Sequence, residues 1–339
     1  MQSIIQTQST AWNAFVRAHP RAHALQLSTW GTLKSAFGWS AARVALQEDG
    51  TIIGGAQILL RPLPLRLGTM AYLPMGPLAL SHADTTLLWQ AIDQTAKAHG
   101  ARFLKWEPGI FTANPPDFRA LGFRPSPQTI QPPGTILIDL TADTDAILAR
   151  MNQGTRRKIR QGDKKGVRFY EGTTADVADF NRIINTTGNR NDFGVHDSAY
   201  YEKAFELFAP TDEVKLFMAA HEDDILAGIM VFAVGDGAWY LYGASSSVKR
   251  NLMATYGVQW QAIQWAKAKG CTYYDLWGIP DADEATLEAE FKERSDGLWG
   301  VYGFKRGFGG DIVRSVGAWD KVYNSLVYTA YQTALKLRR

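Results

Sequence analysis

The chain has 339 residues, a net charge of +3 and one cysteine, Cys271. That length exceeds the size at which one core keeps growing, so two domains are expected, and a lone thiol excludes a disulfide framework or a zinc site of several thiolates and suits a reducing cytoplasm. The opening "MQSIIQTQSTAWNAF" has neither the basic nor the apolar region of a signal peptide, and no stretch approaches the roughly 18 uncharged apolar residues of a membrane span, so a cytoplasmic protein without an integral segment is expected.

In chain order, "LSTWGTLKSAFGW" places Trp30 and Lys34 on one helical face. "RVALQEDGTIIGGAQILL" predicts strand, Asp-Gly turn and strand, and "GTMAYLPMGPL" an aromatic strand. "TLLWQAIDQTAKAHGA" has apolar residues at three- and four-residue spacing before a Gly stop, which predicts a helix, and strand "RFLKWEP" follows. Four prolines (Pro125, Pro127, Pro132, Pro133) then mark a connection before strand "TILIDL". The boundary is set near 145, giving domains 1–145 and 146–319, with a terminal helix over about 320–339 docking back on the first.

Past that boundary, Leu148, Met151 and Ile159 share a helical face interrupted at Gly154. Arg156, Arg157, Arg160 and Lys164 are left toward solvent or a ligand. From Arg150 to Arg168 eight basic residues stand against Asp163, a local charge of +7. Such a run attracts phosphate at long range, and equally describes a solvated helix face.

The second half then repeats the first. "KLFMAAHEDDILAGIMVFA" and "GAWYLYGASSS" read as strands, "YGVQWQAIQWAKAKGC" as a helix and "TYYDLWGI" as a strand. Ala98-His99-Gly100 falls on Ala268-Lys269-Gly270 at an offset of 170 residues, and Gly54 and Gly228 take matching places. Each half closes on Gly-Phe-basic, Gly122-Phe123-Arg124 and Gly303-Phe304-Lys305. Two copies are too few for a solenoid, so the fold class is α/β (mixed α+β), a tandem pair of like domains.

The residues refuse several chemistries. Six histidines show no metal-ligand spacing, no G-x-S-x-G elbow occurs, and Cys271 begins a strand after a helix stop, as a core residue does. No metal or cofactor is expected. Glu107 and Asp275, at strand ends, remain as base candidates, though each also suits a structural acceptor. In "DGLWGVYGFKRGFGG" six glycines surround Lys305 and Arg306 among aromatic rings. A cation there either snorkels to solvent or serves a substrate.

The order strand, hairpin, strand, helix, strand is that of the acetyltransferase-type (GNAT) unit. The tandem pair resembles the Fem aminoacyltransferases, which build peptidoglycan interpeptide bridges. The resemblance covers essentially the whole chain and is carried by "LSTWGTLKSAFGW", "GGAQILLRPLP", "AYLPMGPL", "TRRKIRQGDKKGV", "YYEKAF", "YGASS", "YDLWGI" and "FKRGFGGDIVRSVGAWD". No heptad run lies between Tyr200 and Phe291, so it resembles the short class without a coiled-coil arm.

Membership would imply a cytoplasmic enzyme that takes an amino acid from aminoacyl-tRNA. The acceptor would be the third-position side-chain amine of a stem peptide on a UDP-linked or lipid-linked muramoyl precursor. DNA is not implied as a partner; peripheral contact with a lipid-linked precursor is compatible with it. The resemblance assigns Lys305 the oxyanion, with Phe304 beside the substrate, and assigns the acceptor's diphosphate and sugar to Lys34, His196, Tyr200 and Tyr256. The position of His196 is commonly Arg in the family. A neutral imidazole would pair phosphate more weakly, and Arg190 is expected to take over part of the charge. Arg156, Arg157, Arg160 and Lys164 are expected to engage tRNA by charge.

Two rivals remain open at this point. An acyl-CoA N-acyltransferase of the same fold would need a glycine-rich pyrophosphate loop, and "SSSVKRNLMATYG" lacks its close-approach glycines. A non-catalytic RNA-binding module has only the basic helix in its favour.

Overall fold

The computed structural model describes residues 1–191 and 195–337, and only the backbone of 189–191. Contacts divide the chain into Met1–Gln131 with the segment from Ser315 onward, and Pro132–Arg314. The first division lies upstream of residue 145 because the strand Gly134–Asp139 pairs inside the second unit's sheet.

The first unit is a mainly antiparallel sheet with helices on both faces. Its strands are β1 (Gln2–Ile5), β2 (Ser40–Glu48), β3 (Thr51–Pro62), β4 (Thr69–Pro74), β5 (Leu78–Ala79), β6 (Ala101–Glu107) and β7 (Arg124–Pro125). Its first helices are α1 (Ser9–Ala18), α2 (Ser28–Ser35) and α3 (Thr85–Ala98). Asp49 and Gly50, both at positive φ, close the β2–β3 hairpin. Ala56, Ile58 and Leu60 of β3 join the core under Leu88, Trp89 and Ile92 of α3. The alternate position, Gly55, lies under Trp12 of α1, where a Cβ would come within 2.5 Å of the indole. Helix α3 begins at the Asp84 cap and connects the parallel pair β4 and β6.

The second unit holds β8 (Gly134–Asp139), β9 (Arg168–Gly172), β10 (Val214–His221), β11 (Asp224–Val234), β12 (Gly237–Ser245), β13 (Tyr273–Asp275) and β14 (Asp311–Arg314). Its helices are α4 (Thr144–Arg150), α5 (Gln153–Lys164), α6 (Val177–Asn191), α7 (Ser198–Phe208), α8 (Ala254–Ala268), α9 (Glu284–Glu290) and α10 (Trp299–Lys305). Helix α8 spans the parallel pair β12 and β13 as α3 spans β4 and β6. The break between α4 and α5 falls at Met151 and Asn152, both extended, and not at Gly154. Asn152 ends the extended stretch by accepting from Thr155 N–H at 2.7 Å. The chain end returns to the first unit as β15 (Trp319–Val322) and then α11 (Ser325–Lys336), so a strand precedes the expected terminal helix.

Strand orders match place for place: β1-β2-β3-β4-β6-β15-β7 in one unit, β9-β10-β11-β12-β13-β8-β14 in the other. The sixth place is filled by β15 from the chain end in one and by β8 from the unit's own start in the other. Across the sheets, Tyr72, Lys105, Asp320 and Arg124 form one row, and Trp239, Asp275, Leu137 and Asp311 the corresponding row. The 170-residue offset of the sequence sets Lys105 against Asp275, and the rows then set Arg124 against Asp311. The likeness of Gly122-Phe123-Arg124 to Gly303-Phe304-Lys305 does not extend to three dimensions, because the second triplet lies in α10, ahead of the last strand.

Candidate active site

Lys305 ends α10 and is 6% exposed. Its ammonium donates to the carbonyl oxygens of Trp277 and, at 2.7 Å, Gly278, and packs 5.6 Å from the centre of the Tyr240 ring. Trp277 and Gly278 have φ of +54° and +36°, a left-handed turn that bends the chain just after β13. Asp275 fixes that turn: it accepts Trp277 N–H at 2.7 Å and the Thr135 hydroxyl of β8. Burial pulls the Lys305 ammonium down to about 7, opposed by the Asp275 charge. Burial pushes the Asp275 carboxyl up to about 6, against the hydrogen bonds from Thr135 and Trp277 and the Lys305 charge. An ammonium whose affinity for its proton lies near neutrality, with two of its three N–H groups fixed on carbonyls, can stabilise or protonate an oxygen presented to the third.

Beside it opens a cavity of about 490 Å³. Tyr240, Tyr256 and Phe304 supply aromatic walls, and Ser245, Ser246 and Asn251 a polar rim near the start of α8. The Tyr256 ring packs edge-on to Phe304 at 4.9 Å and stacks on Phe308 at 5.8 Å. Helix α5 borders this cavity: Lys158 donates to the Tyr256 hydroxyl at 3.0 Å, and Gln161 to the Asn251 carbonyl at 2.8 Å. Close approach of α10 to the start of α5 needs Gly307, where a Cβ would meet the Thr155 hydroxyl at 2.3 Å. Along α5 a groove of about 780 Å³ is lined by Arg156, Arg157, Arg160 and Lys164. Arg157, Arg160 and Lys164 are exposed, whereas Arg156 is half-buried and caps α4 by donating to the Ala149 and Met151 carbonyls.

The other expected residues fall elsewhere. His196 is exposed and stacks on Tyr200 with centroids 3.8 Å apart, while Tyr200 is 2% exposed and its hydroxyl lies 3.3 Å from that of Tyr242. These rings pack with Tyr201 on the face of the sheet away from Tyr240. A register shift between Met230 and Val231 lets Tyr240 and Tyr242, two residues apart, serve opposite faces. The side chain of Arg190 lies outside the described residues. In the first unit Lys34 is half-buried, with its ammonium 5.5 Å from the Trp39 ring and the Arg61 guanidinium 5.3 Å from it. Burial and then the Arg61 charge bring Lys34 down to about 8. Glu107 accepts from the Tyr72 hydroxyl and from the backbone N–H groups of Ile130 and Gln131, so both oxygens hold the connecting segment. Burial raises its pKa, and those hydrogen bonds oppose the rise. Cys271 is buried, and burial pushes its thiol up to about 11, which removes it as a nucleophile.

The FemAB family profile matches residues 7–115, 118–223 and 211–336. The chain belongs to the FemAB family. It is 26% identical to the lipid II:glycine glycyltransferase of Staphylococcus saprophyticus, over 94% of this chain and 92% of that one. The alignment runs over 396 residues, more than the 339 of this chain, so the relative carries segments absent here. Among solved structures, FemX superposes with a TM-score of 0.86 at 22% identity, covering 97% of this chain and 99% of FemX. A tandem GNAT protein of clavulanic acid biosynthesis superposes with a TM-score of 0.54 at 11% identity, covering 96% and 99%. The fold is therefore a tandem GNAT-like pair, and this FemAB chain is a transferase.

Three participants in this FemAB site escape the sequence pattern. Lys158 is one of eight cations in its run, and nothing marks it as the one that reaches Tyr256. Tyr240 reads as any aromatic strand residue. Thr135 lies 140 residues from the carboxylate that it holds.

Proposed function

We propose that this enzyme transfers an aminoacyl group from aminoacyl-tRNA to the third-position side-chain amine of a stem peptide carried on a muramoyl precursor. The relatives named lipid II:glycine glycyltransferase support a peptidoglycan precursor as acceptor and a small amino acid as cargo. The observation that carries the donor half is the buried Lys305 ammonium behind an aromatic cavity, with a basic helix along the cavity's border. The cavity's size suits a nucleoside with its ester, and its aromatic walls suit a terminal base. Arg157, Arg160 and Lys164 supply charge for the adjoining phosphates.

In the reaction the acceptor amine attacks the ester carbonyl. The new C–N bond forms, the ester C–O bond breaks, and the proton shed by the amine ends on the departing ribose oxygen. Lys305 offers its third N–H to the oxyanion, and Asp275 acts as a positioning residue by holding the turn whose carbonyls orient the ammonium. Glu107, with both oxygens engaged, has no part in this chemistry. On the acceptor side, Lys34 of the first unit is the contact for the diphosphate; in the second unit the exposed His196 imidazole, stacked on Tyr200, is a separate candidate contact, and Tyr256 belongs to the donor cavity.

The test is mass spectrometry of UDP-muramoyl-pentapeptide and its lipid-linked form after incubation with a mixture of charged tRNAs. The expected product gains an aminoacyl residue on the third-position amine and does not form when the charged tRNAs are digested with ribonuclease beforehand. Transfer that needs only an acyl-CoA, or a product modified at another amine, overturns the reading.

A further inference from the structure

One end of the first unit carries exposed leucines among cations, and neither the cavity nor the basic helix uses it. Leu65 is 90% exposed, Leu67 39% and Leu326 85%. The three belong to one surface. Arg102 donates from Nε to the Leu67 carbonyl at 3.0 Å, and its own carbonyl accepts from Asn324 N–H at 2.8 Å, two residues before Leu326. Leu63 and Val327, beside these residues, join one apolar cluster with Met70, Phe103 and Tyr328.

Leu65 and Arg66 both have φ of +56°. A branched side chain in the left-handed region is disfavoured, and here the leucine gains almost nothing from the protein in return. An asparagine or glycine would suit the isolated fold better at position 65. An apolar phase outside the chain would supply the compensation that the protein does not. The outer face of α11 continues the pattern: its exposed residues run Ser325, Leu326, Thr329, Ala330, Thr333, Ala334 and Lys336, the last being the only charge on that helix among the described residues.

Around the leucines stand Arg61, Arg66, Lys97 and Arg102, and none of the four has an ion-pair partner among the described residues. The carboxylates of this end are turned inward. Asp93 is held by Lys321 and by the Tyr323 hydroxyl at 2.7 Å, and Asp320 by Lys105 at 3.1 Å and the Tyr328 hydroxyl at 2.8 Å. Projecting leucines ringed by unpaired cations, with half-exposed Trp39 and Tyr331 behind them, match an anionic bilayer surface: the apolar tips reach the acyl boundary while the cations face headgroups. They sit on a turn and on the outside of a helix, not in a groove that could receive a peptide.

We propose that this end of the first unit, centred on Leu65, Leu67 and Leu326, docks the protein on an anionic lipid bilayer. The inference stands apart from the donor and acceptor assignments. Arg61 nevertheless shares the Trp39 ring with Lys34, so docking here would bring the lysine assigned to the acceptor's diphosphate close to the headgroups.

The experiment is co-sedimentation of the full chain with vesicles free of any precursor, either pure phosphatidylcholine or an equal mixture with phosphatidylglycerol. Wild-type protein is expected on the mixed vesicles and not on the neutral ones. Leu65→Ser with Leu326→Ser should lower the partition coefficient on the order of tenfold, and Arg66→Gln about fivefold. Melting temperature should be unchanged, because both serine substitutions are at exposed positions. Equal partition of the double variant and wild type, or indifference to phosphatidylglycerol, overturns the proposal. So does a double variant whose vesicle binding is intact but whose concentration-dependent self-association is lost, since that assigns the patch to a second copy of the chain. Turnover of the soluble precursor by the double variant should match wild type, so that failure of vesicle binding and failure of the transferase reading are separately visible.

Discussion

Lys105 and Asp275 occupy the same place in the two units, in corresponding rows of the two sheets, and are put to different uses. In the first unit Lys105 pairs with Asp320 at 3.1 Å and donates to Ser126 and the Gln128 carbonyl, fastening the connecting segment and the returning chain end. In the second, Asp275 faces Leu137 across the sheet, finds no cation on that strand, and holds the turn that carries the Lys305 acceptors. The elements ahead of the last strands differ in the same sense. In the first unit the short turn Phe118–Leu121 buries Phe118 against Trp106 and Trp319, at 4.7 and 5.0 Å. In the second unit α10 delivers an ammonium to that region. A duplicated fold thus keeps its strand order while one copy turns polar groups into tethers and the other leaves a cation partly unsatisfied. Unsatisfied buried cations are costly, and their persistence points to chemistry.

The sharpest way to break this contrast is to remove the ammonium. Lys305→Met keeps the stem and should lower kcat on the order of 100- to 1000-fold, as loss of an oxyanion donor does. Arg124→Met, in the matching Gly-Phe-basic triplet of the first unit, should leave kcat within about twofold, because an exposed cation over Tyr328 serves packing alone. A folded Lys305→Met variant with more than about a tenth of wild-type kcat removes Lys305 from catalysis.

The next largest effect is on stability and should fall on the first unit. Lys105→Met strands Asp320, which is 0% exposed. Breaking a buried pair from one side costs about 3–5 kcal/mol, so denaturant titration should register that loss while kcat per folded molecule stays unchanged. Loss of kcat with unchanged stability would mean that the first unit's polar row also serves the reaction.

Much of this contrast was legible in the sequence, and its limits have physical causes. The 170-residue offset is carried by helices with Gly stops, Gly100 and Gly270, both left-handed, so local chemistry and fold agree there. The Lys305 motif stands out because glycines and aromatics crowd around one cation. The exchange of β8 and β15 into the sixth strand place leaves no local trace, since strand pairing across so many residues is set by the whole sheet. The connection therefore reads as ending near 145 when the contacts divide at Gln131. Alternation along "GAWYLYGASSS" puts Tyr240 and Tyr242 on one face, and only the register shift opposite them separates the two. Arg156 counts as a free cation in the sequence because the α4 carbonyls it caps become available only once the helix breaks at Met151.

That cap decides which basic residues to change in the third test. Arg157→Gln, Arg160→Gln and Lys164→Gln together spare the α4 cap and should raise the donor KM while flattening its salt dependence. Each lost phosphate contact removes about 0.9 from the log–log slope on duplex. An unaltered slope would return α5 to the role of a solvated face and leave the cavity as the only donor feature of the second unit.

The smallest effect is the linkage between pH and stability that Lys305 carries in the second unit. Lys305 has its folded-state pKa pulled from 10.5 down to about 7 by burial. Between those values the unfolded chain binds a proton that the folded chain has released. Stability from this group is therefore fully present above the unfolded value and is lost as pH falls through the window toward 7. The slope is at most about 1.4 kcal/mol per pH unit, diminished where Asp275 opposes the shift. Asp275, raised from 3.8 to about 6, acts in the opposite sense at lower pH: the folded chain keeps a proton that the unfolded chain loses, so its contribution falls as pH rises through 6. Denaturant midpoints of wild type and Lys305→Met, measured from pH 7 to 9, should diverge, with wild type gaining on the variant as pH rises. Parallel curves for wild type and Lys305→Met would mean that Lys305 stays fully charged at neutral pH, and the contrast between a satisfied cation in one unit and a desolvated one in the other would disappear.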